Sequence, residues 1–240
     1  MKSIDLCNFF SKVNYNWKKD EKKIKNICYF TKTRPDATRD ASSFELTYGM
    51  EQVFLLKSIV EHFNVENMFE IGTGRGTGCY AAALSPNVEN VITVDILPFE
   101  YKRPTAIGFR PVVVSNFDIF CMIPFVQKRK IKFKHISNTK DIVDTHRKTI
   151  DFCFIDGDHE NEDIIKKDYE NCKALIKDKG LILFDDYHPD KFNVKKVVDQ
   201  ILKEDSNLDS LLINMHGHLF DENNKTTDNG VVLIKEGSIF

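Results

Sequence analysis

The residues best equipped for chemistry are acids in two short stretches. Asp156-Gly157-Asp158-His159 follows the apolar run Ile150–Ile155, and Asp185-Asp186-Tyr187-His188 follows Leu181-Ile182-Leu183-Phe184. Near-continuous apolar runs of this length read as strands buried on both faces. Residues just past such strands emerge at the carboxyl edge of an open α/β sheet, where ligands bind. Four carboxylates at one edge repel one another unless a cation neutralises them or one takes a proton. A hard divalent cation such as Mg²⁺ prefers oxygen ligands of this kind, with waters completing its octahedron. The plainer role for the same acids is to cap the helices that follow and face water.

A second chemical feature lies upstream. Four of the chain's 11 glycines fall in Glu70-Ile71-Gly72-Thr73-Gly74-Arg75-Gly76-Thr77-Gly78. Glycines at a strand-to-helix turn allow a tight bend and close approach of a ligand to the backbone. The dinucleotide fingerprint G-x-G-x-x-G is not met from either Gly72 or Gly74, and no G-K-[ST] follows to make a phosphate loop. Glu70 before the glycines repels a pyrophosphate and suits a ligand with a positive end. Asp95, at the end of the next strand (Val91–Asp95), stands where this topology holds a ribose. A nucleoside that carries a cation and lacks phosphates meets both demands. S-adenosylmethionine (AdoMet) is such a ligand.

Phe69-Glu70-Ile71-Gly72-Thr73-Gly74-Arg75-Gly76, followed by Val94-Asp95, resembles motifs I and II of the class I AdoMet-dependent methyltransferases. The resemblance spans roughly residues 50–235. It implies that Gly72, Gly74 and Gly76 line the methionine part of the cofactor, with Glu70 beside them. It further implies that Asp95 binds the ribose hydroxyls and that Ser137-Asn138 lie near the adenine. The two acidic stretches resemble those of metal-dependent small-molecule O-methyltransferases, of the sugar and catechol type. That likeness implies Mg²⁺ or another divalent cation on Asp156, Asp185 and Asp186, with Asp156 also at the cofactor. It makes Asp158 or His188 the general base. His159 ranks below His188, and His216 and His218 read as structural.

These residues need a scaffold. Asn67–Ile71, the glycine turn, the helix Cys79–Leu84 and Val91–Asp95 form a βαβ crossover. Further strands read at 131–136, 150–155, 181–184, 211–214 and 231–235. Helices fit at 116–127, 138–147, 160–177 and 191–204. An earlier helix reads from Phe44 to Phe63, capped by Ser42 or Ser43, with Glu45 in its first turn. The pattern predicts one α/β domain over residues 46–240. It is doubly wound and Rossmann-like, with a mostly parallel seven-stranded sheet and helices on both faces. Residues 1–45 are irregular in pattern and read as an extension that serves as a lid, together with the loop 98–110. Tyr15 and Trp17 are substrate-contact candidates there.

Composition mainly excludes. The 34 basic and 36 acidic residues leave a net charge of −2, so nucleic acid is not the expected partner. The basic runs at 18–25 and 128–134 read as solvated faces. No apolar run reaches the roughly 18 residues needed to span a bilayer. No secretory h-region follows Met1, and no C-x-x-C pair suggests zinc. The expectation is a cytoplasmic enzyme with free thiols, acting on a small-molecule acceptor, with homo-oligomerisation left open. Three alternatives remain at this point: a metal-independent N-methyltransferase, an aminopropyltransferase-like enzyme, and a non-catalytic AdoMet-fold module that binds a partner or RNA.

Overall fold

The computed structural model describes residues 1–32, 45–104, 113–136, 139–221, 223, 225–227 and 229–240. In chain order the elements begin with β1 (Lys2–Asp5), α1 (Leu6–Lys12) and α2 (Glu21–Lys32). Then come α3 (Glu51–His62), β2 (Asn67–Ile71), α4 (Thr77–Ala83) and β3 (Asn90–Asp95). A hairpin, β4 (Lys102–Pro104) and β5 (Val113–Ser115), precedes α5 (Asn116–Met122), α6 (Phe125–Lys128), β6 (Ile131–His135) and α7 (Lys140–His146). The chain finishes with β7 (Ile150–Ile155), α8 (Glu162–Leu175), β8 (Ile176–Tyr187), α9 (Val194–Glu204), β9 (Leu208–Asn214) and β10 (Gly230–Glu236).

The main sheet has eight strands in the order β1-β9-β10-β8-β7-β2-β3-β6. Every neighbouring pair is parallel except those made by β10, which runs antiparallel to both β8 and β9. The expected strand count of seven is therefore one too low. The eighth strand is β1, only four residues long, and too short to show an alternating pattern by itself.

Side chains alternate between two cores, as a pleated strand requires. Met68, Phe152, Phe154, Leu181 and Leu183 face one core with the helices α1 to α5. Phe69, Cys153, Ile155, Ile182 and Phe184 face the other, with α7, α8 and α9. Helices thus cover both faces, as the strand–helix alternation predicts.

The amino-terminal segment differs most from expectation. Residues 2–32 are ordered elements, and Leu6, Phe9 and Ile24 are fully buried. Asp5 caps α1 by accepting the Asn8 N–H at 2.9 Å. Lys57, inside α3, reaches Asp20 at 3.0 Å, and the Tyr15 hydroxyl donates to the same carboxylate at 3.1 Å. Trp17 packs edge-on against Phe54. Tyr15 and Trp17 therefore serve this junction. Lys18, Lys19, Lys22 and Lys23 are exposed, as a solvated face should be.

Two helices are shorter than their periodicity suggests. The helix expected from Phe44 begins only at Glu51, because Gly49 takes a left-handed φ of 84° and turns the chain there. Glu45 lies before the helix, and Ser42 and Ser43 lie outside the described residues. The helix expected over 116–127 breaks into α5 and α6 at Ile123-Pro124, where proline removes a backbone donor.

Candidate active site

The strand register brings the site together. Ile71 pairs with Val94 and with Ile155, and Ile155 pairs with Phe184. The next residues along these four strands are Gly72, Asp95, Asp156 and Asp185, so all four reach one carboxyl edge. Asp186 follows with a left-handed φ of 55°, which an aspartate tolerates better than most side chains.

Each turn glycine answers a different constraint. A Cβ on Gly72 would lie 1.8 Å from the Asp156 carbonyl oxygen, so only glycine lets the turn pass the end of β7. The Gly72 and Thr73 N–H groups both donate to the Val94 carbonyl, at 2.9 and 3.2 Å. Gly74, at φ 53°, has open space where a Cβ would stand, and it faces a cavity. Gly76, at φ 79°, caps α4, and a side chain there would meet the Tyr80 ring at 2.6 Å. Gly72 and Gly74 line the cavity, while Gly76 shapes the turn behind it.

The cavity has a volume of about 570 Å³, within the roughly 300–1,000 Å³ of small-molecule sites. Asp95 lies in its wall. Its Oδ2 accepts the Gly74 N–H at 3.1 Å and its Oδ1 the Leu97 N–H at 2.9 Å. These bonds fix the carboxylate toward the turn. Ile96 beside it is 73% exposed, an apolar surface open to a flat ring. Ile136 and Thr139 line the same wall. Ser137 and Asn138, between them, lie outside the described residues.

Glu70 does not line this cavity. Strand alternation turns it, like Met68, toward the α3 and α4 side, where it is fully buried. It accepts hydrogen bonds from the Thr93 hydroxyl and the Cys79 N–H. Burial pushes its carboxyl up to about 8, against those bonds and with the help of the Asp95 charge. A Cβ on Gly78 would meet its Oε1 at 2.3 Å, so Gly78 makes room for it. Glu70, which the resemblance sets beside the cofactor, braces the turn from beneath in this structure.

Asp156, Asp185 and Asp186 converge. One carboxylate oxygen from each lies within 4.8 Å of the others. Opposite ligands of a bound Mg²⁺ or Ca²⁺ stand about 4–5 Å apart, so this all-oxygen set fits such an ion. Burial, then the charges of Asp185, Glu70 and Asp186, pushes the Asp156 carboxyl well above its usual range. Burial and the Asp186 charge push Asp185 up to about 6. The side-chain amide of Gln52, in the first turn of α3, donates to Asp185 Oδ2.

The candidate bases separate. Asp158 is exposed, and its Oδ1 accepts the Glu160 and Asn161 N–H groups at 2.8 and 2.7 Å, as a turn-capping acid does. Its side of the chain still lines the cavity. The His188 Nδ1 accepts the Asp190 N–H at 3.2 Å, and its ring lies 6.4 Å from that of Phe192. The histidine at the acids is His159, whose Nδ1 lies 3.6 Å from Asp186 Oδ2 and whose ring packs edge-on against Phe192. Its signal in the sequence was its place three residues after Asp156, one helical cap away from the cavity. Gln52 had no such signal, since nothing local links α3 to β8. His218 bonds the Thr226 carbonyl at 3.1 Å, which suits a structural histidine.

The fold is a doubly wound α/β domain with a cavity and an acidic cluster at one carboxyl edge. Residues 69–187 match the family model Methyltransf_24, described as a methyltransferase domain. Among curated proteins, none matches the sequence. Solved structures match over 78% to 96% of the chain. The O-methyltransferase TomG from Streptomyces achromogenes, solved with SAM, is 16% identical, with a TM-score of 0.55, covering 96% of this chain and 95% of its own. An O-methyltransferase from Bacillus cereus, solved with SAH, is 13% identical, with a TM-score of 0.56 and coverages of 95% and 96%. A methyltransferase from Geobacter sulfurreducens is 14% identical, with a TM-score of 0.53 and coverages of 78% and 80%. The resemblance read from the motifs is matched by the family model over residues 69–187 and by a fold shared with these methyltransferases. Among the described residues, no helix is long and apolar enough to cross a membrane.

Proposed function

We propose that this protein moves the AdoMet methyl group to a hydroxyl of a small acceptor, with a divalent cation on Asp156, Asp185 and Asp186. The observation that carries this reading is the convergence of those three carboxylates beside the cavity walled by Gly72, Gly74 and Asp95. Two of the matched structures are described as O-methyltransferases, which favours oxygen as the acceptor atom.

When bound, AdoMet supplies an electrophilic methyl on a sulfonium, and the cation supplies charge that lowers the pKa of a coordinated hydroxyl. The chain's own residues do the rest. Asp95 takes the ribose, and Gly74 leaves the backbone bare for the methionine end. Gln52 holds Asp185 in one orientation. His159, at the mouth beside Asp186, takes the acceptor proton. Methyl transfer disperses the sulfonium charge, so a site that excludes water favours it. The lid read from the sequence, over residues 1–45 and the loop 98–110, falls partly outside the described residues. A small-molecule partner and a cytoplasmic setting go with this reading.

Calorimetry with AdoMet tests the cofactor half: absence of heat at millimolar ligand sinks it. Release of S-adenosylhomocysteine in the presence of EDTA tests the cation half. Undiminished turnover there rejects the metal and leaves a metal-independent transferase.

A further inference from the structure

The basic run at 128–134 has no part in the scheme above. From Ile119 to Thr139 the chain carries no acid, yet it carries Lys128, Arg129, Lys130, Lys132 and Lys134. The net charge of −2 hides this local excess. The fold does not cancel it. Among the described residues none of the five makes an ion pair, whereas α8 and α9 set Lys166, Lys173, Lys195 and Lys196 against acids. Asp118, the acid just before the stretch, is engaged by Ser115 in the capping box of α5. Three of the ammonium groups bond neutral oxygens instead. Lys128 donates to the Cys121 carbonyl at 2.8 Å, Lys130 to the Ser85 carbonyl at 2.7 Å and Lys132 to Asn90 Oδ1 at 3.0 Å. Burial, and then the charge of Arg129, push the Lys130 ammonium below its ordinary pKa, as crowded like charges do.

An apolar tip projects beside these charges. The chain bends between α5 and α6 at Ile123-Pro124, where buried Ile123 anchors the turn. Its neighbours Cys121, Met122, Pro124, Phe125 and Val126 are all exposed, Phe125 by 76% and Val126 by 53%. Single apolar side chains are normal on a surface, but a contiguous group marks a site of interaction. Lys128 ties the two features together, because its ammonium rests on the carbonyl of Cys121, at the tip itself. Apolar tips flanked by uncompensated cations suit the headgroup layer of an anionic bilayer. The apolar side chains bury at the acyl boundary, and the cations meet phosphates and carboxylates. A nucleic acid would use the cations and leave Met122 and Val126 in water. A second copy docked about a two-fold axis would set the positive run against itself.

We infer that this corner is a peripheral docking surface for an anionic lipid bilayer, with Met122, Phe125 and Val126 entering the interface and the cations of 128–134 meeting the headgroups. Lys132 and Lys134 lie on β6, the outer strand of the sheet, which presents them sideways without a neighbouring strand. Lys132 bonds Asn90 at the amino end of β3, whereas Asp95 and the cavity lie at its carboxyl end. Docking therefore leaves the AdoMet site clear, and the inference stands apart from the methyl-transfer reading.

Cosedimentation of the full chain with vesicles tests this, using phosphatidylcholine alone and a three-to-one mixture with phosphatidylserine. The chain should pellet with the mixed vesicles and not with the neutral ones, and added salt should weaken the binding. Arg129, Lys132 and Lys134 are exposed, so changing all three to Gln should spare the fold. That triple variant should lose affinity about 100-fold, roughly fivefold for each cation. Phe125→Ser should lose about tenfold, as an apolar ring leaves the interface. Phe125→Trp gives an independent reading, since its added indole fluorescence should shift to the blue with mixed vesicles. No pelleting with mixed vesicles, equal pelleting with neutral ones, or undiminished affinity in either the triple variant or Phe125→Ser overturns the inference. So does an unshifted Phe125→Trp spectrum. Binding of poly(U) without binding of vesicles assigns the run to nucleic acid and overturns it. A dimer that Phe125→Ser dissolves, again without vesicle binding, assigns the tip to a second copy and also overturns it. Calorimetry with AdoMet reads the proposed function separately: vesicle binding by a chain that takes no AdoMet fails that function and supports the docking surface.

Discussion

The side-chain amide of Gln52 donates a hydrogen bond to Asp185 Oδ2 across 133 positions of sequence. This bond holds the Asp185 carboxylate from the α3 side, within the cluster it forms with Asp156 and Asp186. Groups that orient metal ligands from outside typically matter 10- to 100-fold for affinity or activity. Gln52→Ala should therefore raise the Mg²⁺ concentration needed for half-maximal turnover by roughly tenfold or more. AdoMet affinity should not move, because Gln52 lies apart from the glycine turn. A Mg²⁺ titration of turnover checks this, and coincident curves for the two proteins would reject it.

The acidic cluster also sets a pH dependence. Asp185 is pushed up to about 6, and Asp156 is raised well above its usual range. A carboxyl whose folded pKa is raised stabilises the fold while it keeps its proton. In cation-free protein that contribution is lost as pH rises through about 6, when the acids ionise beside one another. A cation then replaces the proton, so the two compete. The rise in Tm on adding Mg²⁺ should be small at pH 5 and clearly larger at pH 7.5. Thermal melts with and without Mg²⁺ at both pH values measure it. Equal rises would mean that the ion does not sit on these acids.

Much of this site was legible because parallel strands announce themselves. The runs around Phe154 and Phe184 are apolar and the one around Phe69 nearly so, and the ends of those strands locate Gly72, Asp156 and Asp185 without any tertiary information. What stayed hidden depends on pairs far apart in sequence. Glu70 looks like a ligand because it precedes the glycines, yet the two-residue period of β2 turns it beneath the turn. His188 and His159 are alike in sequence, each close behind an acid. Only the fold shows that His188 Nδ1 is taken by the Asp190 N–H while His159 Nδ1 lies beside Asp186. β1 is four residues of mixed polarity, and it becomes a strand only because Leu211–Asn214 offer it an edge.

Glu70 yields a prediction of its own. Its carboxyl is fully buried and raised from about 4.5 to about 8. The stabilisation it contributes in the protonated form is complete below about 4.5 and disappears as pH climbs through about 8. Glu70→Gln removes the titration while keeping an oxygen for the Thr93 hydroxyl and the Cys79 N–H. Urea denaturation of the ligand-free protein should show wild-type stability falling between pH 5 and pH 8. The fall should exceed that of the variant by on the order of a few kcal/mol, since a tenfold change in an ionisation constant is worth about 1.4 kcal/mol. Parallel stability profiles for the two proteins would show that Glu70 ionises freely.

Gly72 and Gly74 differ in kind, and alanine at each should separate folding from binding. Both carry left-handed backbone, at φ 91° and 53°. A Cβ at Gly72 would stand 1.8 Å from the Asp156 carbonyl oxygen, a backbone atom that cannot yield without parting β2 from β7. Gly72→Ala should therefore cost more than about 3 kcal/mol of stability, in the range of severe core changes. A Cβ at Gly74 meets nothing within 4 Å. Gly74→Ala incurs only the left-handed strain of about 1–2 kcal/mol. Its new methyl, however, stands in the cavity that Gly74 lines, where a cofactor must approach the backbone. Its Tm should drop by a few degrees while AdoMet affinity falls steeply. Denaturation and calorimetry on the two variants give the comparison. Equal stability losses, or an undiminished AdoMet affinity in Gly74→Ala, would contradict the division of labour within the turn.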